Sequence, residues 1–274
     1  MAARSILMAT VAAGLLASPL AGCSRFTNPA TGKSSYLWIT PDQERGWGLE
    51  VFKEMEKKPG FLPAASPEQA RLEGITRRIV TVSDARDWDY QIRVVKTTEV
   101  NAFAAPGGYV FATLGLMKLV GSDDELAGVM AHELGHVAAK HTALRMQKAM
   151  IWQNVAVGAA AAASMAGKDE ATSKQAAQAA AGVTSVVGQF VLLANSREDE
   201  YQADKLGVDY SFRAGYNPEG LVTFFRRLEK MENKSGGDGS GIPNFLSTHP
   251  LTSDRITKAE TEIRKVRSGG NNKS

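Results

Sequence analysis

The chain has 274 residues, with 32 lysines and arginines against 29 aspartates and glutamates, a formal net charge of +3. That near-balance, without any basic block interleaved with aromatics, argues against a nucleic-acid partner. Cys23 is the only cysteine, so no intramolecular disulfide can form, and the length suffices for one domain with a sizeable core.

Residues 1–22 read as a targeting segment outside the fold. Arg4 supplies a thin positive region, Ile6 to Ala17 is an apolar run too short to span a bilayer, and Leu20-Ala21-Gly22-Cys23 resembles a bacterial lipobox. Cleavage there would leave Cys23 as a lipidated N-terminus, and Ser24 after it resembles the sorting signal for the outer membrane. The expected location is the periplasmic face of that membrane. Residues 23–40 then read as anchor and tether, with turn signals at Asn28-Pro29 and Thr31-Gly32.

A domain over residues 41–268 follows. Helices are expected from Pro41 to Lys58 and from Ser66-Pro67 to Val80, the second opened by a cap, a first-turn proline and Gln69 as capping-box partner. Alternating Tyr90, Ile92 and Val94 predict a strand to Thr97, and Tyr109 to Thr113 predicts another beyond the Gly107-Gly108 turn. Ser122 with Glu125 predicts a capping box, and Leu126, Val129, Met130, Leu134 and Val137 a buried helix face. The alanine-rich interval 149–193 is broken by Lys168, Asp169, Glu170 and Lys174 before a membrane span accumulates. It reads as a helical insertion, either a lid or membrane-facing element or an inert one. Helices are further expected from Glu200 to Arg213, Pro218 to Glu232 and Ser253 to about Val266. A Gly236 to Gly241 loop precedes His249-Pro250, and residues 269–274 form a disordered tail. The order is α+β, mostly helical with a small sheet.

The chemistry concentrates in His132-Glu133-Leu134-Gly135-His136, an H-E-x-x-H run inside the helix that Ser122 opens. Residues i and i+4 share a helix face, so His132 and His136 can bind one Zn2+ ion per chain, and Glu133, about 100° round the helix, can reach a water on it. A catalytic zinc needs a third protein ligand. Glu200 and Asp204 are again i, i+4 on a helix: the first can ligate, and the second can hydrogen-bond the outer nitrogen of a ligand imidazole. His141 reads as structural, pointing elsewhere.

The H-E-x-x-H run, the Ser196-Arg197-x-x-Glu200-x-x-Ala203-Asp204 run, Asn101-Ala102-Phe103-Ala104 and Thr248-His249-Pro250 with Arg255-Ile256 together resemble the gluzincin zinc metalloproteases of the HtpX, CAAX prenyl protease and BepA family. The resemblance runs from about Asn28 to Ile256, and with the lipobox it is most similar to the LoiP-like lipoprotein proteases. It implies a zincin-like fold whose edge strand lines the cleft. It implies polypeptide substrates, with Asn101, Ala102 and Ala104 as substrate-binding candidates, although the residues alone also fit an ordinary strand. His249 would either stabilise the oxyanion, cap the metal at rest, or be a plain loop residue. Arg197 would brace a site carboxylate or simply be an exposed helix arginine. The expected activity is zinc-dependent hydrolysis of misfolded or misassembled envelope proteins, with Glu133 as general base. The alternative is a non-catalytic, zinc-stabilised chaperone or assembly factor with envelope protein partners.

Overall fold

A computed structural model describes residues 23–165, 195–234 and 244–269. The expected targeting segment 1–22, most of the alanine-rich interval, the Gly236 to Gly241 loop and residues from 270 on lie outside the described residues. Strands β1 (Ser24–Thr27) and β2 (Ser34–Leu37) pair antiparallel, Ser24 opposite Leu37 and Thr27 opposite Ser34. The residues expected to form a loose tether are therefore a hairpin. Their turn signals close it: Asn28 Oδ1 accepts from Ala30 N at 2.8 Å, and Gly32 takes φ +69. Ala30 is buried in the main core, so the hairpin is docked, with Lys205 Nζ donating to Ala30 O at 2.7 Å.

Helix α1 (Pro41–Lys57) starts with a reciprocal capping box between Thr40 and Gln43. Helix α2 (Pro67–Val80) is capped by Ser66, but the Gln69 side chain does not return to it. Buried Gln69 instead reaches strand β3 (Gln91–Val95), donating to Ile92 O at 2.9 Å and accepting from Val94 N at 2.8 Å. The expected capping box loses to a costlier need, because a buried strand edge must have its backbone groups satisfied. Strand β3 runs parallel to β5 (Tyr109–Thr113), which pairs antiparallel with β4 (Ala102–Ala105). The sheet order β3-β5-β4 puts β4 at an edge.

A short helix, α3 (Leu114–Leu119), leads to α4 (Asp123–Ala138), which is buried on nearly every face. Ser122 caps α4, but the Glu125 carboxylate takes Gly121 N at 3.0 Å and Arg227 at 2.8 and 3.1 Å, so the expected reciprocal box is again redirected. Helices α5 (His141–Met165), α6 (Arg197–Arg213), α7 (Glu219–Lys234), the short α8 (Asn244–Thr248) and α9 (Ser253–Arg267) complete the described chain. The architecture is mostly helical α+β. Helix α4 sits at its centre, packed on α6 and α7, with α2 and β4 on its other sides.

Glycines let α4 and α6 touch. A Cβ at Gly207 would lie 2.9 Å from His132 N, and one at Gly135 would lie 2.8 Å from Ala203 O. That backbone contact brings the His132 turn of α4 against the Glu200 to Asp204 turns of α6. No helix among the described residues is long and apolar enough to cross a membrane.

Candidate metal centre

His132 and His136 project from one face of α4, their Nε2 atoms 3.1 Å apart. Glu200, on the first turn of α6, places Oε2 3.4 Å from His132 Nε2 and Oε1 3.3 Å from His136 Nε2. The α6 start is fixed by Ser196 and Asp199, which form a reciprocal capping box the sequence reading did not identify. A fourth donor joins these three. His249, at the end of α8, puts Nδ1 3.2 Å from His132 Nε2 and 3.1 Å from Glu200 Oε1. All four residues are buried, with their donor atoms within 4.8 Å of one another.

This donor set fits zinc. Ligands about 2.0–2.1 Å from a tetrahedral ion stand about 3.3–3.4 Å from each other, close to the 3.1–3.4 Å separations found here. Two imidazoles and a carboxylate suit that ion, and a buried cation would neutralise Glu200.

The surrounding charges hold the donors in place. His132 Nδ1 lies 2.8 Å from Asp204 Oδ1, close but off the line of an ideal hydrogen bond, so Asp204 backs the outer nitrogen. Burial opposes a charge on His132, yet Asp204 and Glu200 outweigh it and lift its pKa to about 9 in the metal-free protein. Burial, helped by the neighbouring His132 and His141 and opposed by Glu200, holds His136 well below the usual imidazole range. Glu200 goes the other way: burial resists its ionisation, but His249 and His136 draw its carboxyl well below the usual range. Glu133 is raised by burial, partly offset by His249, His132 and the backbone N–H of Ala104. Its Oε1 lies 3.4 Å from His249 Nε2 and has no hydrogen-bond partner among the described residues.

Arg197 is exposed on the first turn of α6, and no described residue joins it to the cluster. The arginine that reaches the carboxylates is Arg255 of α9. It donates to both oxygens of Asp204 at 2.7 Å, and its Nη1 lies 2.8 Å from Glu200 Oε2. Arg255 belonged to the His-Pro segment's motif, but a linear sequence gives no sign that a residue 51 positions away is buried against Asp204.

His141 is also placed differently from the expectation. Counting helical turns from His136 assumes that the helix continues, whereas Lys140 adopts φ 56 and ends it. The reversed chain brings His141 Nδ1 to 2.8 Å from His136 Nδ1. Asn195, missed as a site residue, sets its Nδ2 3.3 Å from His249 Nδ1 and donates to Thr248 O at 3.3 Å.

The edge strand lies alongside. Thr113 N donates to Asn101 O, so by the alternation of an antiparallel ladder Asn101, Phe103 and Ala105 turn their backbone toward β5, and Ala102 and Ala104 turn theirs outward. Ala104 N–H meets Glu133, which joins that outward edge to the metal-binding helix. Asn101 offers only its side chain, whose Oδ1 is buried without a partner among the described residues.

The sequence profile of peptidase family M48 matches residues 66–263, which include every member of the donor set. The chain belongs to peptidase family M48. Its relatives include the mitochondrial metalloendopeptidase OMA1 of Saccharomyces cerevisiae, 27% identical over 92% of this chain and 75% of that one. The metalloprotease LoiP of Escherichia coli is 31% identical over 75% of each chain. The β-barrel assembly-enhancing protease of the same organism is 26% identical over 95% of this chain, which spans only 52% of that longer relative. As an M48 metalloendopeptidase the chain uses zinc, and His132, His136 and Glu200 form its candidate site.

Proposed function

We propose that this M48 peptidase is an endopeptidase of the bacterial cell envelope, lipid-anchored at Cys23 to the periplasmic face of the outer membrane, that cuts misfolded or misassembled envelope proteins. The observation that carries the catalytic reading is Glu133: a buried carboxylate beside the donor set, with one oxygen unpartnered. A binding-only site has no need of such a base. Zinc, when bound, supplies Lewis acidity for a peptide carbonyl and brings the pKa of water from ~15.7 to near ~7. Glu133 takes the proton from the attacking water and returns it to the departing amine. The outward edge of β4 at Ala102 and Ala104 takes the substrate as an added strand, with the Asn101 side chain at its end, once the substrate displaces the contact of Ala104 N–H with Glu133 and opens the buried Ala102. Asp204 and Arg255 hold His132 and Glu200 in place.

His249 brings the donor set to four, and with all four engaged a bound zinc would have no open position. We read it as the resting arrangement. Catalysis then requires His249 to leave, and once displaced it can donate to the oxyanion.

The location rests on the Leu20-Ala21-Gly22-Cys23 lipobox and on the exposure of Cys23 at the start of β1. The substrate class is supported by the relative named for β-barrel assembly. Cleavage of casein by the purified protein, lost with a zinc chelator and restored by zinc, tests the activity; intact casein in every condition would favour a chaperone. For the anchor, Cys23→Ser should move the protein from the membrane pellet to the soluble or unprocessed fraction. Unchanged pelleting with normal signal cleavage would refute lipidation.

A further inference from the structure

The two histidines of α4 are backed in different ways. His132 has Asp204 behind it, an anion, whereas His136 has only another imidazole. That imidazole starts a chain of contacts leading out of the site. His136 Nδ1 stands 2.8 Å from His141 Nδ1, His141 Nε2 stands 3.1 Å from Gln202 Oε1, and Gln202 Oε1 accepts from Asn28 Nδ2 at 2.7 Å. Gln202 Nε2 donates to Glu198 Oε1 at 3.1 Å, which fixes which end of the amide faces His141. Asp199 Oδ1 stands off at 3.7 Å, its other oxygen accepting from Ser196 N.

Hydrogen-bond logic sets every proton in this chain. Asn28 Nδ2 can only donate, so Gln202 must present its oxygen, as its bond to Glu198 also requires. His141 Nε2 then carries the proton, and His141 Nδ1 is left as an acceptor. Among the described residues, the partner that satisfies it is His136 Nδ1–H. A His136 protonated at Nδ1 has its Nε2 lone pair free and directed at the donor set, the tautomer a metal ligand needs.

We propose that His141 is a positioning residue that fixes the tautomer and ring orientation of His136, and that Asn28 of the β1–β2 hairpin enforces this through Gln202. The hairpin is thus part of the metal site's support, 108 positions before His136 in sequence and three hydrogen bonds from it in space. The inference rests on the reading of His136 as a ligand.

Zinc affinity of the full mature chain, measured by competition with a chromogenic chelator, tests the proposal, with metal-free melting temperature recorded in parallel. His141→Ala should weaken zinc binding roughly 10–100-fold, the usual loss for an outer partner of a ligand histidine. His141→Asn, which sets an acceptor oxygen near the place of Nδ1, should recover most of it. At the far end, Asn28→Asp faces an acceptor toward the Gln202 oxygen and should weaken binding more than Asn28→Ala does. In the His141→Asn background that difference should vanish, because the link is cut. Wild-type affinity in both His141→Ala and Asn28→Asp would overturn the proposal, and so would losses that only track the melting temperature without recovery by His141→Asn. His136→Ala keeps the two readings apart: stoichiometric zinc in that variant would sink the ligand assignment itself and the relay with it. Lost zinc there, with unaffected His141 and Asn28 variants, would sink the relay alone.

Discussion

At the scale of single residues, the charges around the donor set make definite demands. Glu133→Gln keeps shape and burial but loses the base, so hydrolysis should disappear while stoichiometric zinc remains. Near-normal turnover in that variant would refute the mechanism. His132 carries a pKa lifted to about 9 by Asp204 and Glu200 without metal, so zinc must displace a proton from it at neutral pH. Affinity should therefore rise with pH until about 9. Titration calorimetry at pH 7 in buffers of different ionisation heat should find a released proton. In the metal-free protein the sign for stability is the opposite. A pKa raised above its unfolded value of 6.5 contributes stability that is complete below that value and lost as pH rises toward about 9. Arg255 faces two buried carboxylates, and removing one partner from a buried pair strands the others. Arg255→Ala should cost about 3–5 kcal/mol in denaturant unfolding of the metal-free protein. A loss under ~1 kcal/mol would mean that the arginine is not needed there.

At the scale of elements, the site exists because α4 and α6 approach to backbone contact. Gly207 is where they meet: an added Cβ would stand 2.9 Å from His132 N and 3.0 Å from His132 Cα, on backbone that cannot swing aside. Gly207→Ala should push α6 away from the metal-binding turn, costing roughly 1–3 kcal/mol of stability and weakening zinc as Glu200 retreats from His132. Chelator competition and unfolding read the two effects. A variant with full affinity and unchanged stability would show that the helices can separate without moving the ligands. Element boundaries show where local signals hold. Ser66, Ser122 and Ser196 all cap as serine caps should, but the partners Gln69 and Glu125 were drawn to a strand edge and to Arg227. A capping box is a local alternative that a buried tertiary partner outbids.

At the scale of the whole molecule, the candidate donor set draws together three separate parts of the chain: α4, α6 and the α8 to α9 segment, where His249 joins the donors and Arg255 pairs with Glu200 and Asp204. Binding the folded state alone, zinc should stabilise by about 4 kcal/mol at a thousandfold excess over Kd, equivalent to roughly 10 °C in melting temperature for a domain of this size. Scanning calorimetry with and without chelator checks this. Equal melting temperatures would mean that the folded protein binds the ion no more tightly than the unfolded chain does.

Whatever depends on short-range periodicity can be read along the chain. An i, i+4 pair of histidines on a helix must share a face, as must Glu200 and Asp204. Alternating Tyr90, Ile92 and Val94 must make a half-buried strand, and serine before a helical run must cap it. Tertiary structure decided whatever required two distant segments to meet. Arg255 rather than Arg197 reaches Asp204 because α9 packs on α6 and buries the arginine. His249 turns its Nδ1 into the donor set because α8 ends there. The supposed tether became a hairpin because Asn28 and Ala30 found Gln202 and Lys205, more than 170 positions away. His141 turned back onto His136 through one residue, Lys140, in a left-handed conformation that neither glycine nor asparagine announced. Helical spacing is set by backbone geometry alone, whereas these partners are chosen by burial, which penalises every unpaired charge and donor and is defined only once the chain has folded.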